Sequence, residues 1–90
     1  SKILIIGSKK KYSRKNFATT LSGKSIFQED LKGPVAFIFG NEGNGIHSET
    51  MRLASHSIHI PMKSGIESLN VSAAVSICLY EKYRQEHSNV

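Results

Sequence analysis

The chain has 90 residues, 39% hydrophobic and 21% charged, which is globular composition for one small domain and excludes a second. It carries a formal net charge of +5 and a single cysteine, Cys78, which excludes an intrachain disulfide framework and a cysteine-rich zinc site. No apolar run reaches the ~18 residues of a membrane span and the opening apolar segment is too short for a signal peptide, so a soluble protein of a reducing, cytoplasmic compartment is expected.

In chain order, Ile3-Leu4-Ile5-Ile6 is a short apolar run ending at Gly7 and reads as a buried strand. After the polar stretch from Lys9 to Lys15, Phe17-Ala18-Thr19-Thr20-Leu21 reads as a second strand, stopped by the turn formers Ser22-Gly23. Val35-Ala36-Phe37-Ile38-Phe39 is apolar at every position, as a strand covered on both faces must be. The loop Gly40-Asn41-Glu42-Gly43-Asn44-Gly45 follows, then a short helix from Ile46 to Ala54 that Ser48 could cap. Ser57-Ile58-His59-Ile60 alternates like a strand and stops at Pro61, and an irregular loop leads to a last helix, from Ser68 to about Gln85, capped by Ser68 or Asn70. This helix is apolar or small on nearly all sides from Leu69 to Leu79 and needs more cover than one sheet surface supplies, so a second copy is expected against it. Strands alternating with helices give the α/β class with a mainly parallel sheet. Cys78, inside Val75-Ser76-Ile77-Cys78-Leu79, reads as a buried structural thiol.

Charge is segregated: Lys2, Lys9, Lys10, Lys11, Arg14, Lys15 and Lys24 all precede the first acid, Glu29, and the remainder is net acidic. A basic lead-in over residues 1–15 suits a polyanion such as RNA, with Lys9, Lys10, Lys11, Arg14 and Lys15 as phosphate contacts; a solvated lysine-rich face is the plainer alternative.

The Gly40–Gly45 loop stands at the carboxyl end of a buried strand, where open α/β sheets bind ligands. Its GxxGxG spacing is neither the dinucleotide fingerprint nor a P-loop, and Glu42 would repel a pyrophosphate, so a neutral or cationic ligand fits better. In a parallel sheet the loop after Ile60 emerges at the same edge, where Ser68 and Asn70 add hydroxyl and amide groups. The four histidines lack metal-ligand spacing, so no metal is expected. His56 and His59, three apart in a strand, should face opposite ways; His59 is either a surface histidine or a base near the pocket.

Two longer motifs carry a resemblance. Phe37-Ile-Phe-Gly-Asn-Glu-Gly-Asn-Gly-Ile46 and Ile60-Pro-Met-Lys-Ser-Gly-Ile-Glu-Ser-Leu-Asn-Val-Ser-Ala-Ala74 resemble the second and third signature motifs of the SpoU/TrmH branch of the SPOUT RNA methyltransferases, with the region 16–87 matching the family. The resemblance implies a trefoil-knotted α/β fold, a homodimer, S-adenosylmethionine as cofactor, and 2′-O-methylation of a ribose in tRNA or rRNA. By motif it places Gly40, Ile60 and Leu69 against the cofactor with Thr19 beside it, Pro61 and Met62 shaping the pocket, and Glu42, Ser68 and Asn70 at the polar active-site positions. A sulfonium cofactor also accommodates Glu42 among the glycines.

The family's first motif, an Asn-x-Gly segment followed by a catalytic arginine, is not found in the chain, and Arg14 lacks its surroundings. The chain is therefore expected to be the C-terminal part of a longer methyltransferase, inactive alone, with the arginine upstream. The competing reading is a non-catalytic RNA- or cofactor-binding dimerisation module; a small nucleotide-binding domain is disfavoured by Glu42 and by the lack of a Lys-Ser/Thr pair.

Overall fold

The computed structural model describes residues 3–9, 14–40, 52–63 and 70–88. The chain forms strands β1 (Leu4–Gly7) and β2 (Lys15–Ser25), a 3-10 turn (Ile26–Gln28), strands β3 (Val35–Phe39) and β4 (His56–His59), and helix α1 (Val71–Glu86). The strands make one sheet in the order β1-β3-β2-β4. The helix expected from Ile46 to Ala54 lies largely outside the described residues, of which Arg52 and Leu53 are helical. The course of the expected knot through 41–51 and 64–69 also lies outside them.

β3 is buried at all five positions, as its unbroken apolar run requires. Strand alternation sends Val35, Phe37 and Phe39 into the main core with Phe17, Ile26, Leu31, Ile58 and Cys78. Ala36 and Ile38 take the other face and are equally closed off. Phe17 and Phe37 are register partners on adjacent parallel strands, and their rings stack at 6.0 Å. Burial of each large side chain stabilises by ~1.5–3 kcal/mol, so this pair and its aliphatic neighbours dominate the packing energy.

The expectation of a mainly parallel sheet holds for β2, β3 and β4 and is corrected for β1, which runs antiparallel to β3. The link over 8–14 is the cause. β1 ends and β2 begins at the amino edge of β3, and so short a link cannot return along the sheet as a parallel crossover would, which takes about a dozen residues or more. Gly7 makes the exit possible: its φ is +147°, and a Cβ there would lie 2.3 Å from the Val35 carbonyl oxygen. The reading of Ile3–Ile6 as a buried strand is corrected too. β1 is an edge strand in which Leu4 and Ile5 are 40% and 44% exposed.

Helix α1 starts three residues later than Ser68, because the Asn70 side chain accepts the Ala73 N–H at 2.8 Å and is the cap. One stripe packs on the core: Val71, Ala74 and Val75 half-buried and Cys78 fully buried. Burial pushes the Cys78 thiol up to about 12, which leaves it unreactive as expected. The rest of the helix is not covered within the chain, with Ile77, Leu79, Tyr80 and Tyr83 exposed. Among the described residues no helix is long and apolar enough to cross a membrane.

The last turns of α1 tie down the link into β3. Gln85 donates to the Glu29 carbonyl and accepts from the Leu31 N–H. The Lys82 ammonium bridges the carbonyls of Leu31 and Gly33, while the Glu86 carboxylate takes the Gly33 N–H and the same ammonium at 2.6 Å. Glu81, the buried charged residue among those described, has both oxygens on Arg84 and one also on Gln85. Hydrogen bonds from Lys82 and Gly33 hold the Glu86 carboxyl below its ordinary 4.5, and Arg84 lowers that of Glu81. Depressed carboxyls stabilise the fold fully above their unfolded values and lose that contribution as pH falls through the folded ones. The urea midpoint should therefore stay level from neutrality to about pH 5 and decline below it. Glu86→Gln should lower the neutral-pH midpoint and make the acid decline shallower, as checked by fluorescence denaturation across pH.

Candidate functional site

Because β2, β3 and β4 run parallel, their carboxyl ends meet at one edge. Ala18 lies opposite Ile38, which brings Thr19 beside the last residue of β3 and hence beside Gly40. Thr19 also faces Ile58 of β4, and two residues on the chain leaves the sheet as Ile60-Pro61-Met62. Five of the sequence-predicted cofactor residues, Thr19, Gly40, Ile60, Pro61 and Met62, thus stand on this edge. Ile60 packs on the same core as Val71, the first residue of α1, so Asn70 begins the helix that covers it. Glu42, Ser68 and Leu69 lie outside the described residues.

The Thr19 hydroxyl donates to the Ile38 carbonyl at 3.1 Å, leaving its methyl as the remaining contact group. Gly40, Ile60 and Met62 are half-buried and Pro61 is exposed. The edge is therefore walled by aliphatic and thioether groups and by backbone amides, which suits a flat heterocycle on an uncharged or cationic scaffold.

A feature missed at the level of sequence crosses the same edge. Ile58 pairs with Thr19 and again with Lys24, so residues 20–23 leave the ladder as an excursion inside β2. Gly23 presses on the β4 backbone, where a Cβ would come within 2.5 Å of the Ile58 nitrogen. The His59 Nδ1 meets the Gly23 carbonyl, which makes His59 a latch on this excursion, and the Thr20 hydroxyl accepts the Ser22 N–H. Ser22-Gly23 signals a turn, but it does not say that the strand resumes beyond.

The described cations of the basic lead-in stand at the other edge, whereas β1 itself starts at the carboxyl end, with Leu4 opposite Phe39. Lys10 and Lys11 lie outside the described residues, and Lys9 is exposed. Arg14 donates to the Ser8 carbonyl and to Asn16 Oδ1, and Lys15 lies 3.9 Å from the Asp30 carboxylate. Asn16 in turn donates to the Leu53 carbonyl and shares hydrogen bonds with Ser55, fastening the approach to β4. From Lys15 to Thr19 is about 13 Å along a strand.

A profile of the SpoU rRNA Methylase family matches residues 5–80. The chain belongs to this family. It is 43% identical over 63 residues to the 23S rRNA (guanosine-2′-O-)-methyltransferase RlmB of Shewanella oneidensis, covering 70% of this chain and 26% of that protein. The Coxiella burnetii RlmB is 39% identical over 71 residues, 78% of this chain and 28% of that one. Among solved structures, the SpoU methyltransferase AviRb of Streptomyces viridochromogenes, in complex with AdoMet, superposes with a TM-score of 0.72 at 30% identity, covering 83% of this chain and 30% of AviRb. The TrmH/SpoU tRNA modifying enzyme of A. aeolicus superposes at 0.70 with 32% identity, covering 86% of this chain and 40% of that one. The SpoU chain described here spans about a quarter of the length of the curated relatives it matches.

Asn70 has two separable roles to test, cap and site group. Asn70→Ala should cost about 1 kcal/mol by loss of the cap, and Asn70→Ser should restore most of it. Denaturation of the three proteins side by side checks this, and Asn70→Ser then isolates any loss of ligand binding from loss of fold.

Proposed function

We propose that this chain is the cofactor-binding C-terminal part of an S-adenosylmethionine-dependent RNA ribose 2′-O-methyltransferase acting on tRNA or rRNA in the cytoplasm. The observation that carries the reading is the meeting of Thr19, Gly40 and Ile60-Pro61-Met62 at the carboxyl edge, in a member of a family in which AviRb was solved with AdoMet. The donor set fits that group: backbone amides around Gly40 and Pro61 for the adenine and the amino-acid tail, and Ile60, Met62 and the Thr19 methyl around the apolar atoms. S-adenosylmethionine supplies an electrophilic methyl on a cationic sulfur. Leu69 completes the pocket, while Glu42, Ser68 and Asn70 hold the ribose. Gly40 must stay without a side chain, and Gly40→Val should weaken S-adenosylmethionine binding at least tenfold in calorimetry while leaving the melting temperature within a few degrees. Undiminished affinity would put the cofactor elsewhere.

A ribose hydroxyl is a poor nucleophile until its proton is removed or stabilised, and at the edge the described residues leave for this the His59 Nε2, the acceptor nitrogen of a ring whose Nδ1 is engaged. The Thr19 hydroxyl serves Ile38, the His59 Nδ1 serves Gly23, and Arg14 stands at the opposite edge. In this reading the catalytic arginine that the resemblance implies is supplied by residues outside these 90, which alone transfer no methyl group. A radiolabelled methyl-transfer assay on unmodified tRNA and rRNA tests this: turnover should appear with the upstream-extended protein and be absent with the short chain.

The exposed face of α1 is the homodimer surface in this reading, since Ile77, Leu79, Tyr80 and Tyr83 leave an apolar stripe uncovered. Leu79 is 42% exposed within the chain, so Leu79→Asp should cost the monomer little. In a dimer it buries an unpaired charge and should cost several kcal/mol of association. Sedimentation should show dimers for the unaltered protein and monomers for the variant. Lys9, Lys10, Lys11, Arg14 and Lys15 give the RNA backbone a sequence-independent attraction.

A further inference from the structure

We infer that the excursion in β2 is a substrate-facing tip at the methyl-transfer edge, with Lys24 and Lys63 taking RNA phosphates and Leu21 packing on a nucleotide. This rests on the proposed methyltransferase reading and adds to it the residues that position the RNA.

Position is the first argument. Thr19 and Lys24 pair with the same residue, Ile58, so residues 20–23 stand out from the ladder immediately beyond Thr19, next to the exit of Ile60-Pro61-Met62-Lys63. The second is rigidity. The Gly23 backbone is wedged on Ser57 and Ile58, its carbonyl is held by His59, and Ser22 is tied to Thr20. A segment so fastened is pre-organised to meet a ligand, not a slack turn.

The third is what the tip presents. Leu21 is 88% exposed, the greatest exposure of any large apolar residue among those described. Lys24 and Lys63 are exposed and make no ion pair among the described residues. The acids described elsewhere, Glu29, Asp30, Glu81 and Glu86, sit at the amino edge or along α1, the last three with cations of their own. An exposed apolar side chain flanked by two unneutralised ammonium groups matches a single-stranded nucleic acid, whose phosphates alternate with apolar base faces. The cations at the amino edge are differently placed: Arg14 holds a backbone carbonyl and Lys15 faces a carboxylate.

The test is fluorescence anisotropy of the full chain with a fluorescein-labelled single-stranded oligouridine, over a range of salt. Lys24→Ala with Lys63→Ala should lower the slope of log affinity against log salt by about 1.4, at about 0.7 per phosphate contact. Leu21→Ser should weaken binding about 5- to 10-fold with the slope unchanged, because the lost contact is apolar. Photocrosslinking to a thiouridine-substituted strand should label peptides carrying Leu21–Lys24 and Met62–Lys63. An unaltered slope in the double variant, or crosslinks confined to residues 9–15, overturns the inference. Calorimetry with S-adenosylmethionine separates the two levels: cofactor binding should be unchanged in both variants, and its absence from the unaltered protein would count against the methyltransferase reading instead.

Discussion

Strand β3 sets the pairing of β1 and β2 directly, and through β2 that of β4. A strand apolar at each of five positions, Val35 to Phe39, can exist in water only with both faces covered and both edges paired. β2 takes one edge in parallel, with Phe17 stacked on Phe37, and β1 takes the other. Once β2 is parallel to β3, and β4 to β2, the three strands share a direction, and the loops that follow them must emerge together. The convergence of Thr19, Gly40 and Ile60 is thus a consequence of packing one strand.

The two edges of that sheet use their polar groups differently. At the amino edge they are committed to holding the fold: Arg14 on Ser8, Asn16 on Leu53 and Ser55, and the last turns of α1 on the link before β3. At the carboxyl edge the described hydrogen bonds are fewer: Thr19 of β2 donates to the Ile38 carbonyl of β3, and His59 of β4 meets the Gly23 carbonyl of β2. Among the described residues the amino edge thus carries more of the ties, and the strand ends where open α/β sheets bind ligands carry fewer.

Much of this was legible in the residues. The run Val35–Phe39, the break at Pro61 and the buried Cys78 are local signals, each found as expected, and of the two caps the residues offer, Ser68 and Asn70, the helix uses Asn70. The direction and exposure of β1 were not legible, because an apolar run reports burial preference and says nothing of strand sense; that was set by the shortness of the link over 8–14. Nor was the resumption of β2 after Ser22-Gly23, which depends on Gly23 meeting the β4 backbone, a contact between residues more than thirty apart in sequence. The motif residues Thr19, Gly40, Ile60, Pro61 and Met62 were picked out by resemblance, and the register places them on one edge.

Charge shows why composition suggested a polyanion partner but no docking face for it. The count of cations before Glu29 treats the lead-in as one surface, whereas the fold divides it. Lys9, Arg14 and Lys15 go to the amino edge, and Lys24, carried about nine residues farther by an interrupted strand, arrives at the other. An ammonium facing a carboxylate, as in Lys15 and Asp30, has part of its field cancelled before any phosphate arrives. Lys24 has no such neighbour among the described ion pairs. Net charge draws a polyanion toward the molecule as a whole, and the unneutralised charges nearest the open strand ends decide where its backbone comes to rest.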